Sequence, residues 1–317
     1  MTSGEGGKTR PPRSGNMNKR GDSGYARSRL RLVVPFLLPA FLIYTAFSIV
    51  PLVLTVSSSF TNWQGTGMDR PFYGLRNYLL LFMDPQFLNA AKNTLIFAVI
   101  GGIMVFPPSL FIGWALTQNI KLKSFYRYVA VAPLMLSVVV VALLWKFLYN
   151  PVFGPINSLL RLVGLRALAL PWLGDTRTTL PAIALATAWQ QSGMWILLIS
   201  AGLQRISPDI REAARVDGAS EWRTFWSITM PLLWGVLRLL LILWIIVSLQ
   251  VFAQVYVMVP HGGVASSAEV VTTLMYNRAF QSNQLGIATA MATMLLLAIF
   301  VLSLLTNRFT KRQVVEF

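Results

Sequence analysis

Two sets of residues in this 317-residue chain have the types and spacing to do chemistry. The first is charged: residues 205–231 hold Asp209, Glu212, Asp217 and Glu221 together with Arg205, Arg211, Arg215 and Arg223. Carboxylates and guanidinium groups in such a segment make charge-assisted contacts with another protein. The second set is neutral: Asn93, then Trp189, Gln190 and Gln191, then Gln250 and Gln254. Amides hydrogen-bond hydroxyl groups, and an indole stacks on the apolar face of a sugar. Sets suited to catalysis are missing. The chain has no cysteine, which excludes disulfide frameworks, thiolate metal sites and cysteine nucleophiles. One histidine, His261, cannot build a histidine-cluster metal site. No catalytic residue and no metal ligand is expected, because neither a nucleophile nor a buried acid pair stands out.

The elements that must position these groups are membrane spans. Apolar residues make up 55% of the chain and charged ones 12%, against about 25% charge in a soluble domain. Six apolar stretches, roughly 33–60, 89–117, 126–149, 179–204, 232–259 and 284–306, are each long enough to cross ~30 Å of hydrocarbon as a helix. The first carries Pro35, Pro39 and Pro51. Such breaks survive in lipid only where neighbours satisfy the freed carbonyls, so a packed bundle is expected. Lys92, Lys146 and Arg238 fall near span ends, where long side chains reach the interface. No acid lies within a span, which disfavours an ion-coupled carrier. The lack of fixed cations in the spans also argues against an anionic substrate. On this reading Gln250 and Gln254, spaced i,i+4 in the fifth span, share one helix face. For each amide, hydrogen bonding between helices of the bundle is the alternative role.

The net charge of +16 then becomes an orientation signal. Segments 1–32, 118–125, 205–231 and 307–317 hold 17 Lys and Arg; segments 61–88, 150–178 and 260–283 hold 6. The richer set belongs in the cytoplasm, with both termini inside. Residues 1–32 read as a disordered basic tail, having few apolar groups to offset chain entropy. Gly7-Lys8-Thr9 within it looks like the end of a phosphate-binding loop, but Thr2 stands where that loop's first glycine belongs. No nucleic-acid partner is expected.

Segment 205–231 carries helix signals. Ser207 is placed to cap an N-terminus, Pro208 suits the first helical position, and Asp209 falls in the first turn. Gly218 suits a left-handed stop. Ser220 is placed to cap a second short helix over 221–229, and Pro231 starts the fifth span. The order Glu212-Ala213-Ala214, Gly218, then Ile228-Thr229-Met230-Pro231 resembles the signature loop E-A-A-x3-G-x9-I-x-L-P of inner-membrane permeases of binding-protein-dependent ABC importers. Met230 replaces the final leucine. Pro35–Pro39, Gly74–Tyr78, Asn93–Leu95, Trp172–Asp175 and Leu249–Phe252 are similar to the sugar-uptake branch, of the maltose and glycerol-phosphate type. The likeness covers about 33–309. It departs at Pro260–Val264, where a Gly-Gly-Gly-Pro-like turn is usual.

The resemblance implies an all-α, polytopic type I ABC importer permease of six transmembrane helices in a bacterial plasma membrane. It divides the chain into the tail 1–32, a transmembrane domain 33–309 and a C-terminal tail 310–317. Segment 205–231 would be a coupling loop in which Glu212, Ala213, Ala214, Asp217 and Gly218 meet an ATPase. Asn93, Trp189, Gln190, Gln250 and Gln254 are the candidates for the substrate path. The implied partners are a second, similar permease, two ATPase subunits, an extracytoplasmic solute-binding protein and a sugar. This chain would bind no cofactor; ATP and Mg would sit on the ATPase subunits. Glycerol phosphate or another polar solute is the alternative cargo, and an ion-coupled secondary carrier the alternative class.

Overall fold

The computed structural model describes residues 35–65, 67 and 69–310. The expectations for the tail 1–32 and for 311–317 lie outside these residues. Among the described residues the regular elements are helices, with one isolated bridge, Thr61 to Phe72.

Helix α1, Pro35–Ser58, runs through a π-helical turn at Thr45–Ile49. It passes from one compact unit, ending at Leu54, into a second unit that begins at Thr55. The residues of α1 up to Leu54 have no buried side chain.

The second unit holds the other spans. Helices α2 (Arg76–Met83) and α3 (Pro85–Ala115) are separated by Asp84, whose carboxylate accepts from the Gln86 backbone N–H as a cap. Helix α4 (Lys123–Val131) and the 3₁₀ turn Ala132–Met135 precede α5 (Val138–Leu148). Next come α6 (Pro155–Leu162), α7 (Thr179–Gln204) and α8 (Pro208–Val216). The chain ends with α9 (Glu221–Leu249), α10 (Ala253–Met258), α11 (Val271–Tyr276) and α12 (Leu285–Phe309). Among the described residues five helices, α1, α3, α7, α9 and α12, are long and apolar enough to cross a membrane alone, and the bent pair α4–α5 counts as a sixth if its two halves form one span.

The centre of the unit is α7. In its most apolar window 61% of residues are buried, against 22% in α3 and 33% in α9, so those two pack around it with faces left for lipid. Close approach is set by small residues. A Cβ on Gly101 of α3 would lie 2.7 Å from the Trp244 ring of α9, and the Trp244 indole donates to the Ala98 carbonyl at 2.8 Å. The ring therefore fills the space that a glycine leaves and pins the two helices together.

Three expected boundaries are corrected. The third span is not a single helix: Lys123–Met135 and Val138–Leu148 meet at 101°. Leu136 is extended between them, Ser137 recaps the chain, and the freed Leu136 carbonyl accepts from Gln190 at 2.9 Å. The second short helix does not stop at 229. It starts on the Ser220 cap and runs without interruption into the fifth span. Pro231 sits inside this helix, just after the π-helical turn Phe225–Thr229. The wider turn relieves the clash that proline makes with the preceding turn. The fifth span ends at Leu249 rather than 259. Gln250, Val251 and Phe252 leave the helix, with Phe252 at φ −133°, ψ −64°. The Val251 carbonyl accepts from the Thr272 hydroxyl, so a partner outside the helix sustains a break that no local glycine or proline marks.

Candidate functional site

Helix α8 is built as the sequence predicts. Ser207 accepts from the Asp209 N–H, Pro208 occupies the first turn, and Gly218 takes φ +77°. The Ala219 N–H bonds Ala214 O at 2.9 Å and the Gly218 N–H bonds Arg215 O at 3.0 Å. Those two bonds close a Schellman turn, which satisfies carbonyls that would otherwise face water unpaired. Glu212, Ala213, Asp217 and Gly218 are exposed, whereas Ala214 is buried at 5% exposure. Only Ala213 of the two is therefore exposed; Ala214 seats the helix on its own body. Val216, at the tip, is 88% exposed. The signature motif does not include this position, although an apolar residue at the end of a polar helix is itself a contact signal. Arg215 ties α8 to the start of α9 through Glu221, 2.7 Å away.

The neutral candidates fall into four places. Gln190 and Gln254 are brought together: both are buried, and the Gln254 amide donates to Gln190 Oε1 at 3.3 Å. Gln250 is separated from Gln254 by the helix break, so the two do not share a helix face. It is exposed and lines a cavity of about 470 Å³ with Phe252, Thr272, Tyr276, Phe280 and Thr289. Aromatic rings crowd this place. Phe252 stacks on Tyr256 at 5.2 Å, Tyr276 meets both, and Phe280 lies 5.0 Å from Tyr276. These rings escaped the sequence reading because only folding brings α9–α10 beside α11. Trp189 belongs to a different row, edge-on to Trp145 at 5.7 Å, with Tyr149 next.

Asn93 is buried in α3 and faces the 260–270 loop. Its amide donates to the carbonyls of Ser266 and Glu269, at 3.2 and 3.0 Å, and Asn89 one turn earlier also donates to Ser266 O. The loop needs such clamping, because His261, Ala265 and Ser266 all take left-handed φ, which is costly for side-chain-bearing residues. Glu269 is buried at 6% exposure beside Asn277. Burial pushes its carboxyl above the ordinary carboxylate range; Ser266, Asn277, Arg278 and His261 pull the other way without cancelling that effect. Arg278 bridges Asp84 at 2.8 Å and also donates to Gln86 and Gln284.

Apolar helices with exposed faces packed around one buried helix, a short capped polar helix between two spans and a broken span with a lined cavity define a polytopic helical membrane protein. The chain belongs to the family of binding-protein-dependent transport system inner membrane components, whose pattern matches residues 106–315. It is 33% identical to a probable ABC transporter permease protein, YurN, of Bacillus subtilis, covering 87% of this chain and 94% of that one. It is 30% identical to the diacetylchitobiose uptake system permease protein NgcF of Streptomyces coelicolor, over 89% of this chain and 84% of that one. It is 33% identical to the multiple sugar-binding transport system permease protein MsmF of Streptococcus mutans, over 87% and 94%. The fold matches a crystal structure of a bacterial ABC transporter involved in alginate import, with TM-score 0.78, 23% identity, and coverage of 92% of this chain and 99% of that chain. The type I importer permease fold expected from the sequence is therefore the fold observed, and the chain is a multi-pass protein of the inner membrane.

Proposed function

We propose that this chain is one permease half of an ATP-driven importer that moves a sugar by alternating access. The observation that carries the reading is helix α8, closed at both ends by its own caps and exposed along Glu212, Ala213, Val216 and Asp217. A short helix held this rigidly transmits a push without unravelling. An ATPase subunit would grip it, a second permease would complete the cavity, and a solute-binding protein would deliver the cargo on the opposite side. Both termini and α8 would face the cytoplasm, as the distribution of basic residues favours.

Sugar as cargo is supported by the names of NgcF and MsmF and by the chemistry of the broken span. Gln250 offers an amide, Phe252, Tyr276 and Phe280 offer ring faces, and the residues lining that cavity include no lysine or arginine. A permease for sn-glycerol-3-phosphate from Agrobacterium fabrum, UgpA, is 29% identical, which keeps an anionic polyol as the second reading. A cavity without cations favours the neutral cargo.

The test is uptake by the complete transporter in proteoliposomes. Val216→Asp and Gly218→Val should each lower ATP-driven uptake at least about tenfold while the chain still inserts and assembles. Gln250→Ala should raise the sugar concentration needed for half-maximal uptake without abolishing ATP hydrolysis. Uptake driven by an ion gradient without ATP would overturn the reading.

A further inference from the structure

An aromatic trough runs beside α8 that the transport reading leaves unused. Five rings line it in sequence of contact: Phe111, Trp114, Phe225, Trp226 and Trp222, with centroids 5.3–6.2 Å apart. It encloses about 460 Å³. Trp114 is one residue from the end of α3 and Trp222 one residue from the start of α9. One wall, Pro107, Leu110, Phe111 and Trp114, belongs to the apolar span α3, and the other, Trp222, Phe225 and Trp226, to the first turns of α9 that lead into the fifth span. Tryptophans are enriched where such spans meet water. Phe111 and Trp222 are 66% and 72% exposed, so the chain itself does not cover the trough.

The mouth is charged in a particular way. Glu221 lines it, and its Oε1 accepts from Arg215 Nε at 2.9 Å and Nη2 at 2.7 Å. A guanidinium carries five N–H donors, so Arg215 keeps others to offer. Glu221 keeps its second oxygen. Arg215 itself lines the adjoining cavity rather than the trough, so Glu221 stands on the rim between the two. The pair matches a headgroup that also carries both signs.

We propose that the trough holds an acyl tail of phosphatidylethanolamine from the leaflet on the α8 side, with the lipid phosphate on Arg215 and its ammonium on Glu221. Phosphatidylcholine has no N–H to donate to the carboxylate, and phosphatidylglycerol brings a negative headgroup to Glu221 with no cation of its own. The bound lipid braces α8 through Arg215, so membrane composition sets how stiffly the projecting helix is held. This inference needs the chain in a bilayer and does not rest on the cargo being a sugar.

The test is native mass spectrometry of the assembled transporter released from nanodiscs containing phosphatidylethanolamine, phosphatidylcholine or phosphatidylglycerol. One phosphatidylethanolamine should be retained per copy of this chain. The exposed ion pair limits its preference over the other two to about fivefold. Glu221→Gln and Arg215→Gln, both at exposed positions, should each erase the preference while leaving the complex assembled. Leu110→Trp, which fills the trough, should reduce retention of all three lipids. Equal retention of the three lipids, unchanged by Glu221→Gln, would overturn the proposal. So would a photo-crosslinker at position 222 that captures the second permease instead of lipid. Lipid retention is read without transport, so failure of sugar uptake leaves this result standing on its own.

Discussion

The Gln254 amide donates to Gln190 Oε1 at 3.3 Å, and Gln190 in turn donates to the Leu136 carbonyl at 2.9 Å. One buried residue of α7 thus holds the bend of the third span and the broken end of the fifth. Both breaks free backbone and side-chain polar groups at depth, and Gln190 satisfies one from each. Replacing it leaves two groups unpaired, at about 1–3 kcal/mol each. Gln190→Leu should lower the thermal midpoint of the purified chain and reduce uptake. Gln254→Met, which removes only one bond, should cost about half as much. Equal midpoints for wild type and Gln190→Leu would show that the relay carries no stability.

Gly101 and Trp244 make a second paired prediction. Gly101→Val places methyl groups where the indole sits, and overpacking of this kind costs about 1–3 kcal/mol. The variant should show a lower midpoint and less folded protein in the membrane. Gly101→Val combined with Trp244→Phe should recover part of the loss, because the smaller ring vacates the contact. If the double variant is no better than Gly101→Val, the two residues are not coupled.

Gly218 predicts a different pattern. Nothing lies within 4 Å of a Cβ built there, so the cost of substitution is backbone strain alone, about 1–2 kcal/mol. Gly218→Val should therefore lower the midpoint by only a few degrees and leave insertion intact while impairing ATP-driven uptake, and Gly218→Asn should retain most activity. Identical uptake by the Val and Asn variants would remove the turn from the coupling argument.

Helix α8 was legible in the sequence because every signal in it is local. Ser207, Pro208, Asp209 and Gly218 each act within one turn of chain, and all four do what their types predict. The breaks at Leu136 and Gln250 were not legible. Partners far along the chain, Gln190 and Thr272, stabilise them, and hydropathy reads straight through such places. The same reason separated Gln250 from Gln254. Pro231 misled for a related cause: proline usually starts a helix, but a π-helical turn lets one continue through it. The aromatic lining of the Gln250 cavity comes from Phe252 in the break before α10 and from Tyr276 and Phe280 at and just beyond the end of α11, and no spacing rule joins those segments.

Glu269 gives a pH dependence whose sign can be worked out. Its carboxyl is raised above the ordinary carboxylate range by burial, so the folded chain binds that proton more tightly than the unfolded chain does. The stabilisation from the bound proton is complete below the unfolded value and is lost as pH rises through the raised folded one. The 260–270 loop, already carrying His261, Ala265 and Ser266 at left-handed φ, should loosen as pH rises across that window. The protection of the Val271 amide, whose N–H bonds the Thr94 hydroxyl beneath the loop, measured against the intrinsic exchange rate at each pH, should fall accordingly. Glu269→Gln keeps the shape without the charge and should flatten the dependence, leaving that protection the same at both ends of the range. A Glu269→Gln chain with the same pH slope as wild type would assign the slope to another group.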